Sequence, residues 1–337
     1  MKAKEETMVI RFCGIRRIPL FFLCVAAFSV PAISADWKPE NNVEIVVPSG
    51  PGSGLDKTGR TVQSLLQSNK LLGVSSVVVN KPGGGGTLAY LYINQYPGNG
   101  HYLSITSPGV ITNKIVGAST IDFQGLTPVA QLFEENIAFM VLPDSKIKDA
   151  KMLISMLKSD PASVSFGIAT ALGGANHIAT ATALKHAGVD IKRLRNVVFK
   201  SGGEVTVALL GGHVDVVPIS APIAVPNLQA GKIRVIAVSS ANRLAGALAN
   251  VPTWREQGID STYSTWRGVV GPRGLTKSQI AYWDGLFAKL TSLDNWKKEI
   301  EANLWVANYL NSEQSGIFLE QQHKEHLSIL SDLGMAK

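Results

Sequence analysis

Residues 48–56, Pro48-Ser49-Gly50-Pro51-Gly52-Ser53-Gly54-Leu55-Asp56, place three glycines and two serines between a β-branched run, Val43–Val47, and a helical stretch that starts near Lys57. Glycine lets the backbone take positive φ and approach a ligand closely, and a helix opening there offers unpaired N–H groups and the positive end of its dipole. Serine hydroxyls add donors that orient a ligand without burying a full charge. The chemistry expected of Ser49, Gly50, Pro51, Gly52, Ser53 and Gly54 is therefore capture of an anion. Asp56 reads first as a brace for the loop or a cap for its helix, and second as a ligand contact. A tight strand-to-helix turn without a ligand is the plain alternative.

Spacing excludes two nucleotide motifs. G-x-G-x-x-G begun at Gly50 ends on Leu55, and begun at Gly52 it ends on Lys57. The phosphate loop G-x-x-x-x-G-K-[ST] finds Gly54, Gly59 and Thr61, but Arg60 stands in the lysine position and Asp56 would set a carboxylate inside the cradle.

Two later turns repeat the arrangement. Val164–Ile168 reads as a strand, Ala169-Thr170-Ala171-Leu172-Gly173-Gly174-Ala175-Asn176 as a small-residue loop, and His177–Ala187 as the helix it opens. Asn196–Lys200 is again a strand, followed by Ser201-Gly202-Gly203 and a helix near Glu204. Thr170, Ala171, Leu172, Gly173, Gly174, Asn176, Ser201 and Gly202 thus join the candidate binding residues. Ser49, Ser53, Thr170, Asn176 and Ser201 supply side-chain donors, or else serve only as turn and N-cap residues. Glu204 either favours a ligand with an amine or hydroxyl or caps its helix.

Nothing points to catalysis or a metal. His177 has no Ser-His-Asp order or nucleophile elbow around it and reads as helix-start packing. His323 and His326 share a helix face at i, i+3 without a zinc pattern, which reads as a solvated face. Trp254 and Trp266 read as core or hinge packing. No cofactor is expected.

The elements that must position these turns alternate. Strand-like runs at 43–47, 76–80, 102–106, 137–142, 164–168, 196–200, 214–219 and 233–238 are separated mostly by helical stretches, which predicts β-α-β units around mainly parallel sheets. Ligands of such sheets bind beyond the carboxyl ends of the strands, where all three turns lie. From Gln279 the pattern is mostly amphipathic helix.

The chain begins as an exported protein does. Arg11, Arg16 and Arg17 precede an apolar run from Pro19 to Val30 and the small residues Pro31-Ala32-Ile33-Ser34-Ala35, a secretory signal peptide with cleavage expected after Ala35. The run is shorter than the roughly 20 residues a membrane-spanning helix needs. Both cysteines, Cys13 and Cys24, fall inside the expected leader, residues 1–35, so the expected mature chain has no disulfide, thiolate nucleophile or cysteine–metal site. The leader holds five basic residues against two acidic, so the formal charge of +7 falls by three to +4. The remaining basic residues are scattered, which argues against nucleic acid and leaves a mild field that attracts small anions.

Taken in order along the chain, these residues resemble the periplasmic solute-binding receptors of tripartite tricarboxylate transporters, the Bug-type proteins. The matching tracts are Val46-Val47-Pro48 with Pro51-Gly52 and Asp56 to Arg60, Val79-Asn80-Lys81-Pro82 with Gly83–Gly86, Leu172-Gly173-Gly174 with His177, Lys200-Ser201-Gly202, Leu210-Gly211-Gly212-His213-Val214-Asp215, Gly231–Val238, and Val251-Pro252-Thr253 with Glu256-Gln257-Gly258. Trp266-Arg267-Gly268-Val269 with Gly271-Pro272 resembles the tricarboxylate-receptor branch. The resemblance implies an α/β, two-lobed clamshell of the periplasmic-binding type, with residues 36–135 plus 254–337 as one lobe and 136–253 as the other. It implies a monomer that holds a small di- or tricarboxylate between loops of both lobes and hands it to inner-membrane permease subunits. An exported enzyme of the same shape and a sensory receptor are the competing readings. The chain departs from the family at Ser53, Asn99-Gly100-His101, Phe199 and Glu204.

Overall fold

The computed structural model describes residues 7–10 and 37–337. Most of the expected leader, with both cysteines and the cleavage point, lies outside the described residues. Thr7–Ile10 take no regular secondary structure.

The chain then runs β1 (Val43–Val47), α1 (Gly54–Ser68), β2 (Ser76–Asn80), α2 (Thr87–Ile93), β3 (Tyr102–Thr106), α3 (Gly109–Ile115), β4 (Thr127–Val141), α4 (Ala150–Ser159), β5 (Ser165–Ala169), α5 (Ala175–His186), β6 (Arg195–Phe199), α6 (Gly202–Leu210), β7 (Val217–Ser220), α7 (Ala221–Gln229), β8 (Arg234–Val238), β9 (Ser264–Gly271), α8 (Lys277–Ser292), α9 (Asp294–Ala302), β10 (Val306–Leu310) and α10 (Ser312–Asp332). The parallel pairing that the alternation predicts joins β1 to β2 and β3, and β5 to β6. Around β4 the ladders are antiparallel, and β4 changes partners along its length. Residues from Thr127 to Asn136 pair with β9, whereas Ile137–Val141 pair with β7 and β8.

Two pairs of cores follow from that switch. β1, β3, the first part of β4 and β9 pack on one face against α1, α8 and α9, and on the other face against α3 and α10. The second part of β4 packs with α4 and α5 on one side and with α6 and α7 on the other. Trp254 stands edge-on to Phe139 at 4.8 Å in the second group, while Trp266 stands edge-on to Phe318 at 5.7 Å in the first. Both are core aromatics, and truncation of such a ring costs about 3–5 kcal/mol.

α1 illustrates how sequence sets the frame. Ser53 caps it by accepting the Asp56 amide at 3.1 Å, and Val62, Leu65 and Leu66 turn inward at i, i+3, i+4 spacing. Gly59 is glycine because helix and sheet touch there: a Cβ would come within 2.7 Å of Val47 Cγ2.

Candidate functional site

The first turn is held by Asp56. Its carboxylate is almost wholly buried and accepts from the Gly52 amide at 2.9 Å, from Arg60 Nε at 2.9 Å and from Asn80 Nδ2 at 2.8 Å. Burial by itself pushes its pKa up, but the hydrogen bonds from Arg60, Asn80 and Gly52 and the Arg60 charge outweigh burial and hold it below the usual carboxylate range. Both oxygens are committed, so Asp56 braces the loop. It also uses up the Gly52 amide, although Gly52, with φ +78°, has the backbone freedom expected of it. The hydroxyls of Ser49 and Ser53 face each other, and the amides of Gly54 and Leu55 have no acceptor among the described residues. Those amides, rather than that of Gly52, are the unpaired donors at the start of α1.

The second and third turns lie side by side, because the parallel pair β5–β6 ends in a bond from the Thr170 amide to Phe199 O at 2.8 Å. Thr170 has φ +72°, a conformation that costs a β-branched residue about 1–3 kcal/mol and occurs mostly where surrounding structure or function demands it. The Asn176 side chain lies half-buried at the start of α5, whose first amides, Ala175 and Asn176, are unpaired among the described residues. Gly173, φ +79°, faces away: a Cβ there would meet Val116, Leu330 and Met335 of the first group of cores. Ala171, Leu172 and Gly174 complete that turn, with Leu172 exposed. In the third turn Ser201 accepts the Glu204 amide at 3.2 Å and Glu204 Oε2 accepts the Lys200 amide at 2.9 Å. Glu204 is therefore a cap of α6, and the Gly202 and Gly203 amides remain unpaired among the described residues.

His177 anchors the second turn. Its Nδ1 accepts the Gly173 amide at 3.0 Å, so Nε2 carries the proton in the neutral ring, and the Asn196 side chain, 3.3 Å away, pairs with it when its amide presents Oδ1, which otherwise has no partner among the described residues. Burial lowers its pKa to about 4. The unfolded chain takes up this proton near pH 6.5 and the folded one only near 4, so the unfolded state binds more protons throughout that window. Stability is expected to fall by about 3 kcal/mol as pH drops from 6.5 to 4. His177→Gln should show a correspondingly shallower loss in urea unfolding at pH 7 and 4.5; equal losses in both proteins would exclude this ring as the cause. His326 corrects another expectation. It is buried, not solvated, with Nδ1 on Gln322 O at 2.7 Å, and among the described residues no group of three His, Cys, Asp or Glu stands ready to hold a metal.

The residues that the motif reading missed form a floor where β4 changes partners. Arg267 on β9 pairs with Glu135 on β4, Nη2 to Oε2 at 3.2 Å, with side chains only 11% and 3% exposed. The Ser220 hydroxyl, at the start of α7, donates to the same Glu135 oxygen. Arg267 Nη2 lies 3.8 Å from where a Cβ on Gly54 would stand, so the floor adjoins the opening of α1. On its other side Gly202 packs near Ile219 and Ile223, the neighbours of Ser220. The first turn thus adjoins the Arg267–Glu135–Ser220 floor, and the third turn packs on Ile219, the residue before Ser220. A single charge, Arg267, inside the otherwise uncharged run Trp266–Val270 was the available signal. A cavity of about 840 Å³ lies elsewhere, on the opposite face of β4 at Glu134 and Asn136, between α5 and α10.

Known proteins resemble this chain in sequence and in fold. BugT of Bordetella pertussis is 28% identical over 260 residues, covering 75% of this chain and 77% of its own. Among solved structures, R. palustris Rpa4515 with adipate superposes with a TM-score of 0.80 at 24% identity, over 89% of this chain and 99% of its own. MatC from Rhodopseudomonas palustris with bound malate gives 0.73 at 22%, over 89% and 100%. These likenesses carry the fold, that of a two-lobed α/β periplasmic binding protein. The sequence profile described as the tripartite tricarboxylate transporter family receptor matches residues 60–335, well over half the chain, which belongs to that family of solute-binding receptors.

Proposed function

We propose that the protein is a periplasmic receptor that captures a small di- or tricarboxylate between its lobes and delivers it to the permease of a tripartite tricarboxylate transporter. The observation that carries this reading is the floor. An arginine with an unused Nη2–H lies beside a helix opening whose first two amides lack acceptors among the described residues, and both favour a carboxylate. The adipate and malate held by two proteins of this fold fit the same chemistry. The reading is non-catalytic and without cofactor or metal: Asp56 and His177, the buried ionisable groups of the first two turns, are occupied in bracing backbone. Residues 1–35 serve as the export signal, and the mature protein acts as a monomer.

The binding residues are Ser49, Ser53, Gly54 and the first amides of α1 from one side, and Thr170, Asn176, Ser201, Gly202 and the first amides of α5 and α6 from the other. Arg267 lies between them. The lobes are residues 36–135 plus 254–337, and 136–253. The packing of Trp254 and Ile259 in the second group of cores favours moving the return crossing to Ser264.

A thermal-shift screen with organic acids tests the reading. A ligand of the native state alone at a hundredfold excess over Kd adds about 2.7 kcal/mol, enough to raise the melting temperature by several degrees. Sugars raising it while every organic acid fails would sink the proposal.

A further inference from the structure

The floor is left with unused hydrogen-bonding capacity of both kinds. Of the five N–H groups of a guanidinium, Arg267 Nη1 serves Thr265 Oγ1 and Trp266 O, each at 3.1 Å, and Nη2 serves Glu135 at 3.2 Å. Nε–H has no acceptor among the described residues but is sealed from solvent, so the one Nη2–H left over is the donor within reach of a ligand. On Glu135, Oε2 accepts from both Arg267 and Ser220, while Oε1 takes no hydrogen bond among the described residues. Buried groups in this state normally find a partner in bound water or ligand.

We propose that Glu135 and Arg267 together select a carboxylate ligand that carries a hydrogen donor, a hydroxyl or an ammonium, on the carbon beside its carboxyl group. The inference rests on the carboxylate reading above. A ligand carboxylate placed on the spare Nη2–H of Arg267 and on the Gly54 and Leu55 amides brings its neighbouring carbon toward Glu135 Oε1. A bare methylene there leaves that oxygen desolvated and unpaired. A second carboxylate sets like charge against like charge in a weakly screened site. A hydroxyl or ammonium completes the pairing. An arginine alone would accept any carboxylate, and the neighbouring glutamate gives up some of that attraction in exchange for discrimination.

Titration calorimetry with matched acids tests the inference: malate, aspartate and succinate, which differ only in a hydroxyl, an ammonium or a hydrogen, and citrate against its deoxy analogue propane-1,2,3-tricarboxylate. The wild-type protein is expected to prefer a donor-bearing member over its unsubstituted partner by at least roughly tenfold, and the malate and aspartate arms tell hydroxyl from ammonium. Glu135→Gln turns its carbonyl toward Arg267 and Ser220 and puts an NH₂ donor where Oε1 stood, so the preference should shrink to about threefold or less. Equal binding of matched acids by the wild-type protein overturns the inference even if the variant does not fold, and so does a preference that survives intact in folded Glu135→Gln. In either case binding itself persists and the carboxylate reading stands. Failure of every acid to bind removes both.

Discussion

Replacing Arg267 by methionine is expected to destabilise the protein by about 3–5 kcal/mol and to weaken binding of its carboxylate at least tenfold. The first effect arises because Glu135, 3% exposed, keeps its charge and loses its cation, leaving only the Ser220 hydroxyl. The second arises because the ligand loses charge-assisted donors, each worth more than a neutral hydrogen bond. Pairing the change with Glu135→Met separates them. An apolar pair of similar volume should recover most of the stability, since a buried ion pair gains little over well-packed hydrophobic groups. It should recover none of the affinity. Urea unfolding and calorimetry on the two variants check this, and a double variant that binds its acid like the wild-type protein would show that Arg267 does not touch the ligand.

The same pair shows where sequence reading stops. The first turn was legible because its causes are local: glycine and serine spacing sets the loop, Ser53 caps the helix by accepting the amide three residues on, and Val43–Val47 is apolar apart from Glu44. Arg267 and Glu135 are brought together only by the antiparallel register of β4 and β9, in which Phe133 opposes Arg267 and Glu135 opposes Thr265. No short-range pattern encodes that pairing. The strand read as 137–142 in fact begins at Thr127, because Glu134-Glu135-Asn136 interrupts the apolar run at the point where β4 passes from one group of cores to the other. Charges placed for a site thus hide the strand that carries them. β9 and β10 were missed for related reasons. β9 is interrupted by Arg267 and Gly268 inside its apolar run, and β10 lies between two helices in a region of helical periodicity.

Gly173 marks another limit. Positive φ was rightly sensed at a Leu-Gly-Gly turn, but a sequence does not tell which way a glycine faces, and here the missing side chain would meet Val116, Leu330 and Met335 rather than a ligand. A bulky residue there should act on packing first, with ligand binding affected through the turn. Glu204 and Asp56 were each open between ligand contact and capping or bracing. For both, the local backbone geometry put the carboxylate on main-chain amides.

Asp56→Ala should accordingly cost about 2–3 kcal/mol of stability, and lower affinity only by loosening the loop. The variant removes the acceptor for the Gly52 amide, Asn80 Nδ2 and Arg60 Nε. Arg60, 53% exposed, returns to water at little cost, and Asn80 keeps its bond to Ser49 O at 2.9 Å. The loss therefore falls on one backbone donor, one partly desolvated amide and the charge at the start of α1, each worth about 0.5–2 kcal/mol. pH dependence separates this brace from His177. The folded Asp56 carboxyl titrates below the 3.8 of an unfolded one, so its stabilisation is complete above pH 3.8 and is lost only as pH falls through the lower, folded value. The stability gap between wild-type and Asp56→Ala proteins should stay constant from pH 7 to about 4, because the His177 loss is common to both and cancels, and should narrow only below that. A gap that closes between pH 6 and 5 would show that Asp56 is not held as a charged brace.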